Sequence, residues 1–367
     1  MTNAEIAIRL RMLADKNGGA SVCFVGDEPV FESVCKRLGS VAEICAETEL
    51  LLAKAVYVKD HGLFTLGQDS FEAHHIASLF TGQTAPQKFQ SRGGRLNRKI
   101  ALVTGAGQGF GRAIALGLAD EGAYVALLDS DSSKARSTAD EINSLHGDCS
   151  AIALSADVSV EAEVEAAVEA AILEFGGLDI LISCAGIVRA GGLDELSTED
   201  FLRINSVNYN GFYFCAKYAS RAMKLENQLS PDYFTDIIEI NSKSGLSGSN
   251  RNFAYAGSKF GGIGLVQSFA LELCAHKIKV NAVCPGNYLD GQLWSDPEHG
   301  LFRQYLEAGK VPGARSVADV RRYYESKVPL GRGCEPEDVL RAIFYLIEQK
   351  YETGQALPVT GGQIMLS

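Results

Sequence analysis

The chain has 367 residues, 46% of them apolar and 22% charged, with a formal net charge of −11. That length exceeds one ordinary domain and predicts two units, or one with a large extension. The acidic balance argues against nucleic acid as a partner, because phosphate backbones demand basic surface, and no apolar run is long enough for a membrane span.

The N-terminal segment MTNAEIAIRLRMLADKNGG reads as an amphipathic helix rather than a leader, since Glu5, Arg9 and Arg11 interrupt any apolar core. Residues 1–83 are expected to form a small α/β unit. Its strands are placed at 22–26 and 55–60, with helices before and between them and another from Phe71 to Phe80. No glycine fingerprint occurs there, so it is not expected to hold a nucleotide. Residues 84–97, polar and carrying Pro86 and Gly93-Gly94, read as a linker.

From residue 98 to 367 the pattern becomes regular. The runs KIALVT, AYVALLD, SAIALS, LDILIS, DIIEIN and IKVNAVC are short and β-branched, as strands buried on both faces require. Helical patterns such as Arg112 to Glu121 and Val160 to Phe175 separate them. This alternation predicts a doubly wound parallel α/β sheet of the Rossmann type, closed by a seventh strand near Gln355 to Val359. Nine cysteines without a CxxC pair or zinc-like spacing fit a reducing compartment, so a cytoplasmic location is expected.

KIALVT runs directly into GAGQGFG and then a helix. Gly105, Gly109 and Gly111 stand where a tight strand-to-helix turn needs permissive backbone and where a pyrophosphate must approach closely. Gln108 and Phe110 belong to the same turn, and the helix N-terminus offers N–H groups to the anion. Asp129 ends the next strand, where an acid can accept both ribose hydroxyls of NAD and repel the 2′-phosphate of NADP; a strand-end cap is the plainer reading. Asp157 suits either the adenine amino group or a helix N-cap.

Further on, Ser242 ends a strand, and Tyr255 and Lys259 follow in YAGSK, four residues apart and so on one helix face. Oxidising an alcohol with a nicotinamide needs a base for the hydroxyl proton. Tyrosine, with an ordinary pKa of about 10, needs a neighbouring cation to serve. Lys259 supplies one, and Ser242 can hydrogen-bond the substrate oxygen as charge develops.

Taken in order, TGAGQGFG, Asp129, Asp157-Val158, Cys184-Ala185-Gly186, Asn208, Ser242, YAGSK and Pro285-Gly286 resemble the NAD-dependent short-chain dehydrogenases/reductases over about residues 98–367. The resemblance implies a Rossmann-type fold and NAD contacts from Val158, Ala185, Gly186, Pro285 and Gly286, alongside Tyr255 and Lys259. It also implies a homo-oligomer, a tetramer, and gives Asn208 either a water-holding relay role or that of a structural helix kink. There are departures. Ser183-Cys184 replace an Asn pair, and Asn287-Tyr288 follow Pro285-Gly286 where a threonine for the carboxamide is common.

Within the family, EINSKSG (239–245), SKFGGIGLVQSFALEL (258–273), YYESKVPLGRGCEPEDVL (323–340) and TGQALPVTGGQIM (353–365) resemble bacterial sorbitol-6-phosphate 2-dehydrogenases. That implies reversible oxidation of a polyol phosphate, D-sorbitol 6-phosphate to D-fructose 6-phosphate. Lys243, Arg251, Lys327 and Arg332 are the candidate phosphate anchors, and 289–325 the candidate lid. The alternatives are another polyol or a lactaldehyde-type substrate, and a non-catalytic NAD-binding scaffold. KDHGLFTLGQDSFEAHHIASLFTG (59–82) resembles part of the class II aldolase/adducin-like domains, with His61 at a ligand position. No histidine precedes His61, and adjacent His74 and His75 cannot share a helix face. No metal site is therefore expected, and the unit is read as a non-catalytic lobe.

Overall fold

The computed structural model of the chain describes residues 2–14, 20–26, 36–38, 54–81, 83–87, 93–230 and 232–365. At the N-terminus, α1 (Asn3–Ala14) precedes β1 (Ser21–Gly26), β2 (Lys36–Leu38), β3 (Ala55–Val58), β4 (Gly62–Gly67) and α2 (Ser70–Thr81). The strands form a four-stranded sheet in the order β1-β4-β3-β2. The expected helix between the strands at 22–26 and 55–60 falls largely outside the described residues. The antiparallel β3–β4 hairpin was not foreseen; it turns at Lys59-Asp60-His61, with Asp60 left-handed at φ 65°. A short Asp side chain tolerates that conformation, but Asp-His is not the Asn-Gly or Asp-Gly pair that signals a two-residue turn.

The rest of the described chain builds β5 (Ile100–Thr104), β6 (Tyr124–Asp129), β7 (Ala151–Ser155), β8 (Ile180–Ser183), β9 (Thr235–Ile240), β10 (Ile278–Pro285) and β11 (Ala356–Val359). They form a seven-stranded sheet in the order β11-β10-β9-β8-β5-β6-β7, each pair parallel. The chain leaves β7 on one side and returns at β8 on the other side of β5. The strand order therefore reverses between β5 and β8, and the carboxyl ends there form a ready crevice for a ligand. The connecting helices are α3 (Gly109–Asp120), α4 (Ser132–His146), α5 (Glu161–Phe175), α6 (Thr198–Asn205), α7 (Gly211–Leu229), α8 (Phe253–Leu273) and α12 (Pro336–Glu348), and the lid inserts α9 (Gln292–Ser295), α10 (Leu301–Glu307) and α11 (Val317–Ser326).

The N-terminal lobe shares a core with the large sheet. Ile6, Ile8, Leu10, Val22, Val56 and Phe64 join Ala167, Phe175, Tyr218 and Met223 in one buried apolar cluster. Arg11, read from the sequence only as a break in any leader's apolar core, is 0% exposed. The reason is a pair of buried acids. Its guanidinium lies 2.7 Å from Asp179 and 3.0 Å from Glu226, and its Nε donates to the Ala20 carbonyl. Burial alone would raise Asp179, but Arg11, Lys99 and the Tyr233 hydroxyl hold it below the usual carboxylate range. Burial pushes Glu226 up to about 8, against the pull of Arg11.

Candidate active site

The cofactor end of the crevice begins where β5 stops at Thr104. Gly105 takes φ +66°, and a side chain there would press on the Ala185 backbone. A Cβ on Gly111 would fall 2.1 Å from the Gly105 carbonyl oxygen, so the helix packs against the turn as only glycine permits. Gln108 is the N-cap of α3, and no side chain caps that end, so its first N–H groups are left for an anion. Asp129 accepts hydrogen bonds from Gly107 N at 2.8 Å and Asp131 N at 2.9 Å, which fix the carboxylate at the crevice wall. Asp157 accepts from Ser159 N and Oγ in a turn before α5, whose N-cap is Val160. Thr104 Oγ1 accepts from both Cys184 N and Ala185 N at 3.0 Å, tying down the loop in which Ser183-Cys184 replace the Asn pair.

Gly105, Gln108, Gly109, Phe110, Gly111, Asp129, Asp157, Val158, Ala185, Gly186, Pro285 and Gly286 all line one cleft of about 370 Å³. Asn287 lines it too, and its buried Nδ2 has no hydrogen-bond partner, as a donor awaiting a carboxamide oxygen would be. Phe110 and Tyr288 stack across the mouth at 4.9 Å. An uncapped helix end, a bare-backbone turn and an orphaned amide donor fit a nicotinamide dinucleotide, which supplies the hydride acceptor or donor when bound.

Ser242, Tyr255 and Lys259 line the same cleft. Ser242 follows β9 and caps the short 3₁₀ turn Lys243–Gly245, its Oγ accepting from Ser244 N at 3.1 Å. Tyr255 occupies the first turn of α8, and Lys259 sits one turn on. The Lys259 ammonium donates to the Ile240 carbonyl at 2.8 Å and lies 3.8 Å from Glu239 Oε1. Glu239 is buried, and that burial pushes its carboxyl up against the pull of Lys259 and Asn241. Asn208 stands behind the cleft, in a π-helical turn, Ser206–Asn210, between α6 and α7. Its Nδ2 donates to Ile187 O and Ser258 Oγ at 3.0 Å, and its Oδ1 accepts from Ile187 N at 2.8 Å. The amide thus ties the loop after β8 to α8.

The four candidate anchors separate. Lys327 is exposed, its ammonium 5.0 Å from the Tyr323 ring, and Arg332 is held by both carboxylate oxygens of Asp338. Neither lines the cleft. Lys243 and Arg251 do not line it either, but each adjoins a residue that does, Ser242 and Asn252; both are half-buried, and Arg251 pairs with Glu195. A third cation joins them that the sequence did not single out. Lys310, from the lid, lies 4.0 Å over the ring of Tyr305, itself a cleft residue. No local spacing links Lys310 to Ser242, so only the folded lid reveals it. Trp294 centres that lid, packed on Tyr324, Phe302 and Tyr305 at 4.8, 5.1 and 5.6 Å. In the N-terminal lobe, His61 bonds Asn3 and His74 bonds Ser70 O and Glu174. Among the described residues no group of three or more His, Cys, Asp or Glu could hold a metal.

A serine, a tyrosine and a lysine lining one cleft with a bare-backbone turn and an uncapped helix end mark an oxidoreductase of CH–OH groups. The family model described as short chain dehydrogenase matches residues 99–296, and the chain belongs to that family. Sorbitol-6-phosphate 2-dehydrogenase of Escherichia coli is 38% identical over 270 residues, covering 73% of this chain and 99% of the relative. An uncharacterized oxidoreductase of Thermotoga maritima is 32% identical, covering 72% and 96%. Among solved structures, sorbitol-6-phosphate 2-dehydrogenase from Erwinia amylovora superposes with a TM-score of 0.67 at 37% identity, covering 72% of this chain and all of that one. A 3-ketoacyl-(acyl-carrier-protein) reductase from Brucella melitensis, complexed with NADH, gives 0.62 at 32%, covering 73% and 99%.

Proposed function

We propose that the chain is an NAD-dependent dehydrogenase that oxidises D-sorbitol 6-phosphate at C2 to D-fructose 6-phosphate, reversibly. The observation that carries this reading is the 38% identity to a sorbitol-6-phosphate 2-dehydrogenase over nearly that enzyme's whole length. In this reading Ser242 donates to the substrate oxygen and Tyr255 takes the hydroxyl proton. Lys259, its ammonium 6.0 Å from the Tyr255 ring, supplies the neighbouring positive charge, and Asn208 holds the backbone behind it. The C2 hydrogen leaves as hydride to the nicotinamide. The preference for NAD rests on Asp129, whose fixed carboxylate suits a free ribose diol and opposes a 2′-phosphate. Association into a homotetramer belongs to the same reading. Support for it comes from Tyr213 on α7 and Phe260 and Leu271 on α8, large apolar side chains left exposed.

Steady-state NAD reduction tests the reaction, with sorbitol 6-phosphate, free sorbitol and 1,2-propanediol compared side by side. Turnover confined to the phosphate ester, and much weaker with NADP, is expected. Preference for the diol would move the protein to a lactaldehyde-type substrate. Free sorbitol oxidised as well as its phosphate would remove the case for an anionic anchor.

A further inference from the structure

Three half-buried cations, none lining the cleft itself, each adjoin a residue of its reacting end. Lys243 immediately follows Ser242, Arg251 immediately precedes the cleft residue Asn252, and Lys310 caps the face of the cleft residue Tyr305. They are close enough to repel. Burial first, and then the charges of Lys243 and Arg251, lower the Lys310 ammonium to about 8. Burial alone lowers Lys243. Arg251 has one carboxylate, Glu195. Neither ammonium has a carboxylate or hydrogen-bond partner among the described residues. Partly desolvated like charges without counter-ions are costly unless an anion completes them. Tyr305 sets the direction, because its phenol lies within electrostatic reach of Tyr255 while its ring carries Lys310. A substrate held by its alcohol at Ser242 and Tyr255 therefore has cations nearby, from the residue after Ser242 and over the ring of Tyr305. Between them, the buried Asn252 Oδ1 lines the cleft without a partner and can accept from a substrate hydroxyl.

We propose that Lys310, with Lys243 and Arg251, forms the anchor for a phosphate monoester at the end of the substrate distant from the reacting carbon. The proposal rests on reading the substrate as a polyol phosphate. It assigns to the lid a binding role beyond excluding water, since Lys310 reaches the anion only when the lid is in place.

The test compares the parent protein with Lys310→Met, Lys243→Met and Lys310→Arg in the NAD-coupled assay, with NADH binding as the check on folding. Removing one charge-assisted contact should raise KM for sorbitol 6-phosphate about ten- to hundredfold in either Met variant. KM for NAD should hold, and Lys310→Arg should recover most of the loss. A Lys310→Met protein that binds NADH and keeps the parental KM overturns the proposal. Should Lys310→Met fail to bind NADH, Lys243→Met decides by the same criterion. If the parent does not oxidise the phosphate at all, the functional reading fails first, and inorganic phosphate becomes the probe. Thermal protection by phosphate that disappears in Lys310→Met upholds the anion site; equal protection, or none in the parent, overturns it.

Discussion

Tyr255, Ser242 and Lys259 differ from Lys310 in how a sequence can announce them. The first two lie thirteen residues apart across one strand end and one helix start, and Lys259 is a single turn beyond. Helix geometry puts Tyr255 and Lys259 on one face, and the family-like order of motifs in which Ser242 stands joins the serine to them before any fold is known. Lys310 lies over the ring of the cleft residue Tyr305, on a segment packed around Trp294, and spacing carries no trace of it. If Tyr255 is the proton acceptor, Tyr255→Phe should lower kcat by about two to four orders of magnitude, with NADH still bound. A scaffold protein would be indifferent to that change, so retained turnover sinks the assignment. Glu239 invites a subtler measurement. Its buried carboxyl stands 3.8 Å from the Lys259 ammonium, and Glu239→Gln should shift the pH profile of kcat while leaving KM for NAD in place. An unmoved profile would leave Glu239 a packing group only.

At the level of elements, the strands and helices around the large sheet were readable because burial on both faces imposes continuous apolar runs, and glycine marks the turn where β5 meets α3. The same turn makes a sharp prediction. In Gly111→Ala the added methyl would meet the Gly105 carbonyl at 2.1 Å, so the turn must open. NADH binding, followed by fluorescence, should weaken at least tenfold, while the circular dichroism of the sheet and helices stays near that of the parent. Elements of the N-terminal lobe were harder to read. The β3–β4 hairpin turns through a left-handed Asp60, with Gly62 at φ 100° two residues on, and lacks the adjacent Asn-Gly or Asp-Gly pair that signals a two-residue turn. The burial of Arg11 was out of reach for a different reason. A charged residue in an apolar helix reads as a solvent-facing position unless the acids awaiting it, 168 and 215 residues away, are known.

Across the whole molecule, Arg11 joins the lobe to the amino ends of the central strands. Folded Glu226 keeps its proton to about pH 8, whereas its ordinary value is 4.5. The folded state therefore binds the extra proton between those values, and stability from this group falls as pH rises through that window. In Glu226→Gln the amide oxygen can still accept from Arg11 and Leu178 N, and the slope disappears. The thermal midpoint of the variant should gain on the parent from about pH 5 to about pH 8; a difference constant with pH would refute the assignment. Arg11→Met should be far more damaging, by about 3–5 kcal/mol, because it strands two acids in the core; chemical denaturation measures this directly.

The arginine also bears on descent. A segment that supplies a guanidinium to the buried Asp179 and Glu226 is costly to shed in one step, because a deletion would leave Asp179 with the more distant Lys99, 3.8 Å away, in place of a contact at 2.7 Å. Loss of the lobe would be eased by first neutralising Asp179, whose charge Arg11 holds. Whatever task the N-terminal segment once had, it is now entrenched by electrostatics, and its persistence in a lineage would be no proof that it still performs that task.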